Sequence, residues 1–529
     1  MSSSDIAGIA ALVVGLLAGL VASARWWRVA QREHYIAGST TRFAGRWWSP
    51  SVTRLNTAGL VIALLAAEVT VRTDLADLVK VVMVFISSII VVALPRGLTI
   101  RGRTAKLAIT SRMRRLIGLT CLIDALLLAA GWFTGYVFLV AGALGLISPL
   151  IVDLSLWLLA PLESRGLGRF VGAAETRLRR IHPRVVAVTG SFGKTTTKNY
   201  IATLVGSTFS TVVSPASFNN RGGLSRTVNE GLSEGTEVFV AEMGTFAKGE
   251  IAALCRWIPP SISVISALGP VHLERFGSED KILDAKLEIT VPADVVVVCI
   301  DYPKLLLAAN QLEAEGKRVW RVSERDFNAA VSVRPNDEGE FVVYHEQRRV
   351  GSLPAGDVSG GNVACAVAVA LELGVPEETI GQRLHDLKAS PNRLTSVVSG
   401  ETGIEILDDT YNSNPAGARR ALAALERRRR GGKVATVVTP GMVELGARQY
   451  VENFKLGESI AEIATNLVVV GSTNRQAIVG GARAAAKIAG SSITIVEMPT
   501  RERAVEWVRG HLGSNDVVLY ENDLPDHFP

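Results

Sequence analysis

The chain has 529 residues, room for three or four domains at about 150 residues each and for a sizeable core. Apolar residues make up 48% against 20% charged, and mean hydropathy is +0.28; this excludes a disordered or fibrous chain and is too oily for an ordinary soluble enzyme. The net charge of +6 invites a nucleic-acid reading, but where the charge sits matters more than its sum.

Apolar runs crowd the N-terminal third and then stop. Candidate spans are Ile6–Ala24, Ala58–Val71, Leu78–Leu94, Ile117–Ala130 and Tyr136–Ala160, two of them shorter than the roughly 20 residues a bilayer requires. Met1–Asp5 carries no basic residue, which argues against a cleaved signal peptide. Arginine and lysine concentrate in residues 25–56 and 95–116, while the turns Arg72–Asp77 and Gly131–Gly135 hold one basic residue between them. By the positive-inside rule this predicts five spans with the N-terminus outside and the long C-terminal region in the cytosol. Much of the basic excess is then a topology signal, and nucleic-acid binding loses its main support. Trp26, Trp27, Trp47 and Trp48 fit interfacial anchors. Asp124 and Asp153 lie inside their spans, where ionisable groups are costly. They read as a polar pocket for the headgroup of a lipid-linked substrate, as carboxylates paired with Arg115 or Arg165, or as groups simply near the interface.

Next come a linker and a short apolar strand, Arg184–Thr189, and then Gly190-Ser191-Phe192-Gly193-Lys194-Thr195-Thr196-Thr197 running into a helical pattern. Strand, glycine loop and helix turn backbone N–H groups and a helix N-terminus toward a polyphosphate. Lys194 would reach the outer phosphates and the Thr195 hydroxyl would bind magnesium. The loop is GxxGKTT rather than the standard spacing, since Val188 stands five residues before Gly193. Beyond it lie a polar stretch, Ser217-Phe-Asn219-Asn220, and a strand, Val238–Ala241, ending in Glu242. A second strand, Ile262–Ile265, leads to His272, and a helix carries Lys286. Glu242 and His272, following strand ends beside the loop, are expected to converge on the ion held by Thr195.

At these residues the sequence resembles the Mur ligase family, ATP-dependent amide synthetases of peptidoglycan assembly, in particular the type that adds D-alanyl-D-alanine. The resemblance covers roughly residues 184–529. It implies that Gly190, Ser191, Gly193, Lys194, Thr195 and Thr196 cradle ATP and that Thr195, Glu242 and His272 hold Mg2+. It also implies that Lys286 is the lysine such enzymes carbamylate to hold a second ion, so Lys194, Lys286, His272 and Glu242 carry the catalysis.

Residues 326–353 read as short strands around an Asn336–Gly339 turn, and Gly360-Gly361-Asn362 opens an apolar helix to Leu373. Asn362 fits the family's ATP-contacting asparagine, although its preceding histidine is Gly361 here. Pro391-Asn-Arg393 matches the arginine near the nucleotide phosphates. Strands at Ile404–Leu407, Val434–Val438, Leu467–Val470, Ile493–Val496 and Asp516–Tyr520 alternate with helices such as Ala416–Arg429, predicting a compact α/β domain with a largely parallel sheet. It begins Asp408-Asp409-Thr-Tyr411-Asn412-Ser-Asn414-Pro415, close to the family pattern, which implies that Asp409 holds the ribose. By the same resemblance Asn219, Asn220, Tyr411, Asn412 and Asn414 face the substrate. Gly441-Met-Val-Glu444-Leu-Gly446 continues the match. Two departures stand out: an expected histidine is Asn453, and the family's terminal Lys-Gly-Ser motif is replaced by Glu521–Pro529, which implies a different amine. Arg427–Arg430 reads as a solvated helix end or a contact for anionic headgroups. Cys121, Cys255, Cys299 and Cys365 show no metal or disulfide spacing, as expected in a reducing compartment.

The expected fold is an α-helical membrane bundle followed by α/β, a P-loop central ATPase domain with a parallel sheet and a Rossmann-like C-terminal domain. Its parts are residues 1–162 (membrane), 163–183 (linker), 184–390 (ATP binding) and 391–529 (C-terminal). The resemblance implies a ligase at the plasma membrane, ADP-forming, with ATP and Mg2+. It would join the carboxylate of a lipid-linked or nucleotide-linked envelope precursor to an amino acid or peptide amine. The lipid bilayer is its other partner and nucleic acid is not one. Only the stretch Pro161–Pro183 separates membrane from phosphate loop, which leaves no room there for the family's UDP-gripping domain and favours a lipid-linked donor. A poly-γ-glutamate synthase-like ligase, a membrane-coupled NTPase or transporter, and a non-catalytic scaffold are the alternatives.

Overall fold

A computed structural model describes residues 3–49, 53–71, 75–100, 106–215, 218–355, 358–387, 395–410, 414–429, 433–524 and 527–528. The chain divides into two compact units: Met1–Gly166 with Gly471–Thr473 and Leu524–Pro529, and Leu167–Val470 with Asn474–Asp523.

The first unit is helical, with α1 (Ser3–Arg32), α2 (Ser39–Trp47), α3 (Arg54–Val69), α4 (Asp77–Ala93), α5 (Ser111–Thr134) and the start of α6 (Val137–Ile181). Each predicted span is a helix, but among the described residues three are long and apolar enough to cross a membrane: those of α1, α5 and α6. At 16 and 17 residues, α3 and α4 reach only about 24–26 Å, short of a hydrocarbon core of about 30 Å. Thr110 caps α5 by accepting the Met113 N–H at 3.2 Å, and Gly135 ends it at φ 79°. Large apolar side chains such as Leu17, Leu65, Ile89, Leu126 and Trp157 point outward, as lipid-facing residues do.

Three sequence expectations change here. The stretch 163–181, read as linker, is helix: α6 runs through Pro149 and Pro161 to Ile181. Proline frees the carbonyl four residues back, and the Ser148 hydroxyl donates to that carbonyl, on Gly145, at 2.7 Å. Trp26, Trp27 and Trp47 are packing residues buried inside the bundle, with the Trp27 indole donating to Thr120 Oγ1 at 3.3 Å. The two carboxylates have separate settings, neither with arginine. Asp153 caps α2, accepting from the Thr40 and Thr41 amides at 3.2 and 2.8 Å and the Thr41 hydroxyl at 2.6 Å. Asp124 is fully buried with no hydrogen-bond partner among the described residues, and Arg115 pairs with Glu163 instead.

The second unit holds two sheets. The central domain runs β1 (Arg184–Thr189), α7 (Lys194–Val205), β2 (Thr211–Val213), α8 (Arg221–Gly231), β3 (Val238–Glu242), α9 (Glu250–Cys255), β4 (Ile262–Ile265), α10 (Leu273–Phe276), α11 (Glu279–Leu287), β5 (Val295–Cys299) and α12 (Pro303–Ala314). It continues with β6 (Arg318–Ser323), β7 (Val331–Pro335), β8 (Glu340–His345), β9 (Arg348–Pro354), α13 (Gly360–Leu373) and α14 (Glu377–Arg383). Its strand order is β2-β3-β1-β4-β5-β6-β7-β8-β9, parallel through β7 and closed by an antiparallel meander. Strands buried on both faces need apolar runs throughout, which β1, β3, β4 and β5 supply. The C-terminal domain has β10 (Thr395–Val398), β11 (Glu405–Asp409), α15 (Pro415–Arg428), β12 (Ala435–Thr439), α16 (Gln449–Ile463), β13 (Asn466–Val470), α17 (Arg475–Ala489), β14 (Thr494–Met498), α18 (Arg501–His511) and β15 (Val517–Glu521). Its order is β10-β11-β15-β12-β13-β14, parallel except for β10. The parallel sheets follow the alternation of apolar strand and amphipathic helix expected from sequence. All four cysteines are free thiols.

Candidate active site

In the central sheet β1 lies between β3 and β4, so the chain leaves β1 toward one side and later returns on the other. The C-terminal end of such a strand is the crevice where doubly wound sheets bind ligands. Residues 190–193 fill it. Ser191 N–H donates to the Ala267 carbonyl at 2.9 Å and its hydroxyl to the Gly269 carbonyl at 3.1 Å. Ser266 Oγ donates to the Phe192 carbonyl at 2.9 Å. These bonds tie the loop to the end of β4. Gly193 has φ +79°, and a Cβ there would lie 2.5 Å from Asn362 Oδ1. Glycine is needed at that position on both counts. Lys194 Nζ curls back to the Gly190 carbonyl at 2.9 Å.

One helical turn into α7 and at the end of β3, a polar cluster forms around Glu242, which is almost fully buried. Thr195 Oγ1 donates to Glu242 Oε2 at 2.8 Å, and Asn219 Nδ2 donates to Oε1 at 3.1 Å. Lys198 Nζ is 3.1 Å from the same Oε2, both side chains 1–2% exposed. Burial pushes the Lys198 ammonium below its ordinary value, and the Glu242 charge opposes that shift. Sequence reading missed Lys198. Its signal is there in retrospect: on a helix starting at Lys194, residue 198 shares a face with 194 and 195.

His272 pairs with a different carboxylate. Its Nδ1 makes a short contact with Glu444 Oε2, and Arg275 reaches Glu444 Oε1 at 3.3 Å. His272 and Glu444 both adopt left-handed backbone, φ 54° and 62°, uncommon for side chains of this kind and typical of functional loops. Burial would raise the Glu444 carboxyl, but the hydrogen bond and charge of His272, with Arg275, outweigh it and hold the group at about 2. The pairing joins the central and C-terminal domains; Arg448 adds a second tie, to Glu279 at 2.9 Å.

Lys286, on α11, is buried at 4% exposure and makes no ion pair among the described residues. Burial, and then the neighbouring charge of Lys194, push its ammonium well below the ordinary value. No group of three His, Cys, Asp or Glu side chains suited to a metal occurs among the described residues.

The remaining expected residues divide. Asn362 is buried beside Gly193, and Thr196 is buried in the first turn of α7. Asp409 is buried at the end of β11, opposite Glu521 in register. The side chains of Asn220 and Asn414 are helix caps, accepting from Gly223 N at 3.0 Å and Gly417 N at 2.8 Å. Arg393, Tyr411 and Asn412, with Ser217, lie outside the described residues. At Gly361 a Cβ would lie 3.3 Å from Cys299 Sγ, so a side chain there requires that neighbour to give by a few tenths of an ångström. Asn453 is a bracket: its amide exchanges 2.8 Å hydrogen bonds with both backbone groups of Met442 and donates to the Gln449 carbonyl.

Residues 188–370 match the Mur ligase middle domain, and residues 392–520 the Mur ligase, glutamate ligase domain. The UDP-N-acetylmuramoyl-tripeptide–D-alanyl-D-alanine ligase of Mycobacterium bovis is 30% identical over 354 residues, 63% of this chain and 69% of that one. The ligase of the same name from Bacillus subtilis is 32% identical, covering 52% and 59%. A MurF ligase from Thermotoga maritima, in complex with ADP, superimposes with TM-score 0.57 at 25% identity, covering 68% of this chain and 80% of that one. The chain belongs to the Mur ligase family, whose members are ATP-dependent acid–amino-acid ligases.

Proposed function

We propose that this ligase is anchored in the plasma membrane by its N-terminal helices and activates a carboxylate carried on a lipid-linked envelope precursor. The observation that carries the ligase site is the cluster at the end of β1 and β3: a glycine loop, a helix N-terminus, Lys194, and the Thr195 hydroxyl on a buried carboxylate. Three helices long and apolar enough to span, ahead of β1, support the membrane reading.

In this reading the loop amides and Lys194 bind the ATP phosphates. Hydroxyl and carboxylate oxygens 2.8 Å apart are a donor set that suits magnesium, so Thr195 and Glu242 would hold it, with His272 and Lys286 further candidates. When bound, the ion neutralises charge on the transferring phosphoryl group. A carboxylate oxygen of the donor attacks the γ-phosphorus as the bond to ADP breaks. The amine then attacks the acyl carbon of the resulting acyl phosphate, losing a proton and expelling phosphate. Lys194 lies where charge develops, Asn219 orients Glu242, and Asn362 closes the loop at Gly193. A buried lysine facing a second cation favours the neutral amine, the form that reacts with carbon dioxide; this supports carbamylation of Lys286. Asp409 and the residues 411–412 are assigned to ribose and substrate by resemblance alone.

The test is phosphate release by detergent-purified protein with ATP and Mg2+ across a panel of amino acids and dipeptides. Each is offered with a UDP-linked or a lipid-linked peptide, with Lys194→Ala as blank. Amine-dependent turnover with the lipid-linked donor alone is expected. Turnover with the UDP-linked donor alone would reject the lipid reading, and turnover without any amine would reject the ligase reading.

A further inference from the structure

Helices α1, α5 and α6 are long and apolar enough to span a membrane, yet the seam where they meet is partly polar. That seam can be followed turn by turn. A Cβ at Gly15 would lie 2.7 Å from Ala141, and one at Gly19 would lie 2.8 Å from the Leu144 side chain. Farther along, the Trp27 indole donates to Thr120 Oγ1, which is 3.3 Å from Ser155 Oγ. Side chains four residues apart share one face of a helix. Ser23 stands between Gly19 and Trp27 on α1, Asp124 follows Thr120 on α5, and Ser148 follows Leu144 on α6. The three belong to one layer of the seam, and each is fully buried.

The layer lacks the bonding that its depth demands. Asp124 lies about 20 Å along α5, near the middle of a helix about 36 Å long. Neither of its oxygens has a hydrogen-bond partner among the described residues, and neither does Ser23 Oγ. Two basic side chains of the same helices are engaged elsewhere, Arg25 on the Val91 and Leu94 carbonyls and Arg115 on Glu163. A bare carboxylate is not stable at such depth. A proton alone would leave its O–H as a buried donor without an acceptor, which is itself costly. Oxygens that share a hydrogen bond stand about 2.5–3.0 Å apart. Oxygens that hold a cation at about 2.4 Å stand about 3.4 Å from one another and do not bond among themselves. The polar groups of this layer are all oxygens, which suits a hard cation, and one carboxylate balances one positive charge.

We propose that Ser23, Asp124 and Ser148 form a binding site for one sodium ion where α1, α5 and α6 meet. Sodium is close to calcium in radius and accepts the same oxygen spacing. Asp124 neutralises its charge and Ser23 Oγ is a second donor. Ser148 Oγ, which gives its proton to the Gly145 carbonyl at 2.7 Å, keeps its lone pairs for a third contact. The ion thereby ties together helices that otherwise meet through small residues such as Gly15 and Gly19. The site lies within the helical unit and does not rest on which donor or amine the ligase uses.

Retention of radioactive sodium by the full-length protein in detergent tests it. The native chain should retain the label, displaced by unlabelled NaCl and not by choline chloride. Asp124→Asn should abolish retention, and Ser23→Ala should weaken it at least tenfold. A native chain that retains no sodium, or Asp124→Asn that retains as much as the native chain, would overturn the proposal. A second measurement covers the case in which Asp124→Asn fails to fold. The Tm of the native chain should rise with NaCl and not with choline chloride at equal ionic strength, because an ion that binds only the folded state stabilises it. Ser23→Ala should need at least tenfold more NaCl for the same rise. Equal melting of the native chain in the two salts would equally overturn it.

Discussion

Replacing Lys198 by methionine keeps the side-chain volume and removes the charge beside Glu242. The pair is buried, with 1% and 2% of the side chains exposed and a 3.1 Å separation. Breaking such a pair from one side leaves an uncompensated charge and costs about 3–5 kcal/mol, whereas replacing both partners together costs little. The second unit has about 350 residues, and an unfolding entropy of about 2.1 cal/mol/K per residue converts that cost to a Tm drop of about 4–7 °C. Lys198→Met should therefore fall by that much in nucleotide-free protein. Glu242→Gln should also fall, because the buried Lys198 ammonium then loses the opposing Glu242 charge. The double variant should lie within about 1–2 °C of the native protein, a coupling of several kcal/mol in a double-mutant cycle read by calorimetry. Tm losses that simply add would refute the claim that Lys198 and Glu242 stabilise each other, and with it the role of Lys198 in setting the charge of this cluster.

Other outcomes follow from single features of the site. Lys194→Ala removes the cation beside the loop; ATP turnover should drop at least a hundredfold, and an unaltered kcat would refute its placement on the phosphates. Gly193→Ala meets both a left-handed φ and Asn362 at 2.5 Å, so nucleotide affinity measured by calorimetry should be lost, most of it recovered by nothing smaller than reversion. Burial pushes Glu521 up to about 8, with Thr439 opposing and Asp409 adding to the shift. A raised acid binds its proton more tightly folded than unfolded, so stability is full below the unfolded value of about 4.3 and declines as pH rises toward 8. Glu521→Gln should flatten that slope between pH 5 and 8 in thermal melts, and an unchanged slope would reject the buried, protonated state. Asn453→Ala leaves the Met442 amide without its acceptor and should cost about 1–3 kcal/mol, read as a lower Tm.

Much of the architecture was legible in the residues. The strands Arg184–Thr189 and Ile262–Ile265 and the helix Gly360–Leu373 appear with the boundaries expected, because continuous apolar runs ending in glycine or a polar loop admit few alternatives. Five of the six C-terminal strands fall within a residue or two, and β10 was not among those expected. The span read as Tyr136–Ala160 is only the first part of α6, which runs on through Pro161, with Val171, Ala174 and Leu178 buried beyond that point. Asn220 and Asn414, expected from the family motif to face the substrate, also cap helices, since an asparagine before a helix satisfies the first free amides whatever else it does.

What the sequence by itself determined is local or periodic: apolar spans, strand–loop–helix order, and the glycine loop whose composition follows from backbone geometry. Pairings between distant residues depended on tertiary structure. Lys198 on Glu242, His272 on Glu444 and Glu33 on His527 are 44, 172 and 494 residues apart. No spacing rule reaches across such separations; the partner of a buried charge is selected by which strand ends and helix turns packing brings within about 3 Å, and by the cost of leaving that charge alone.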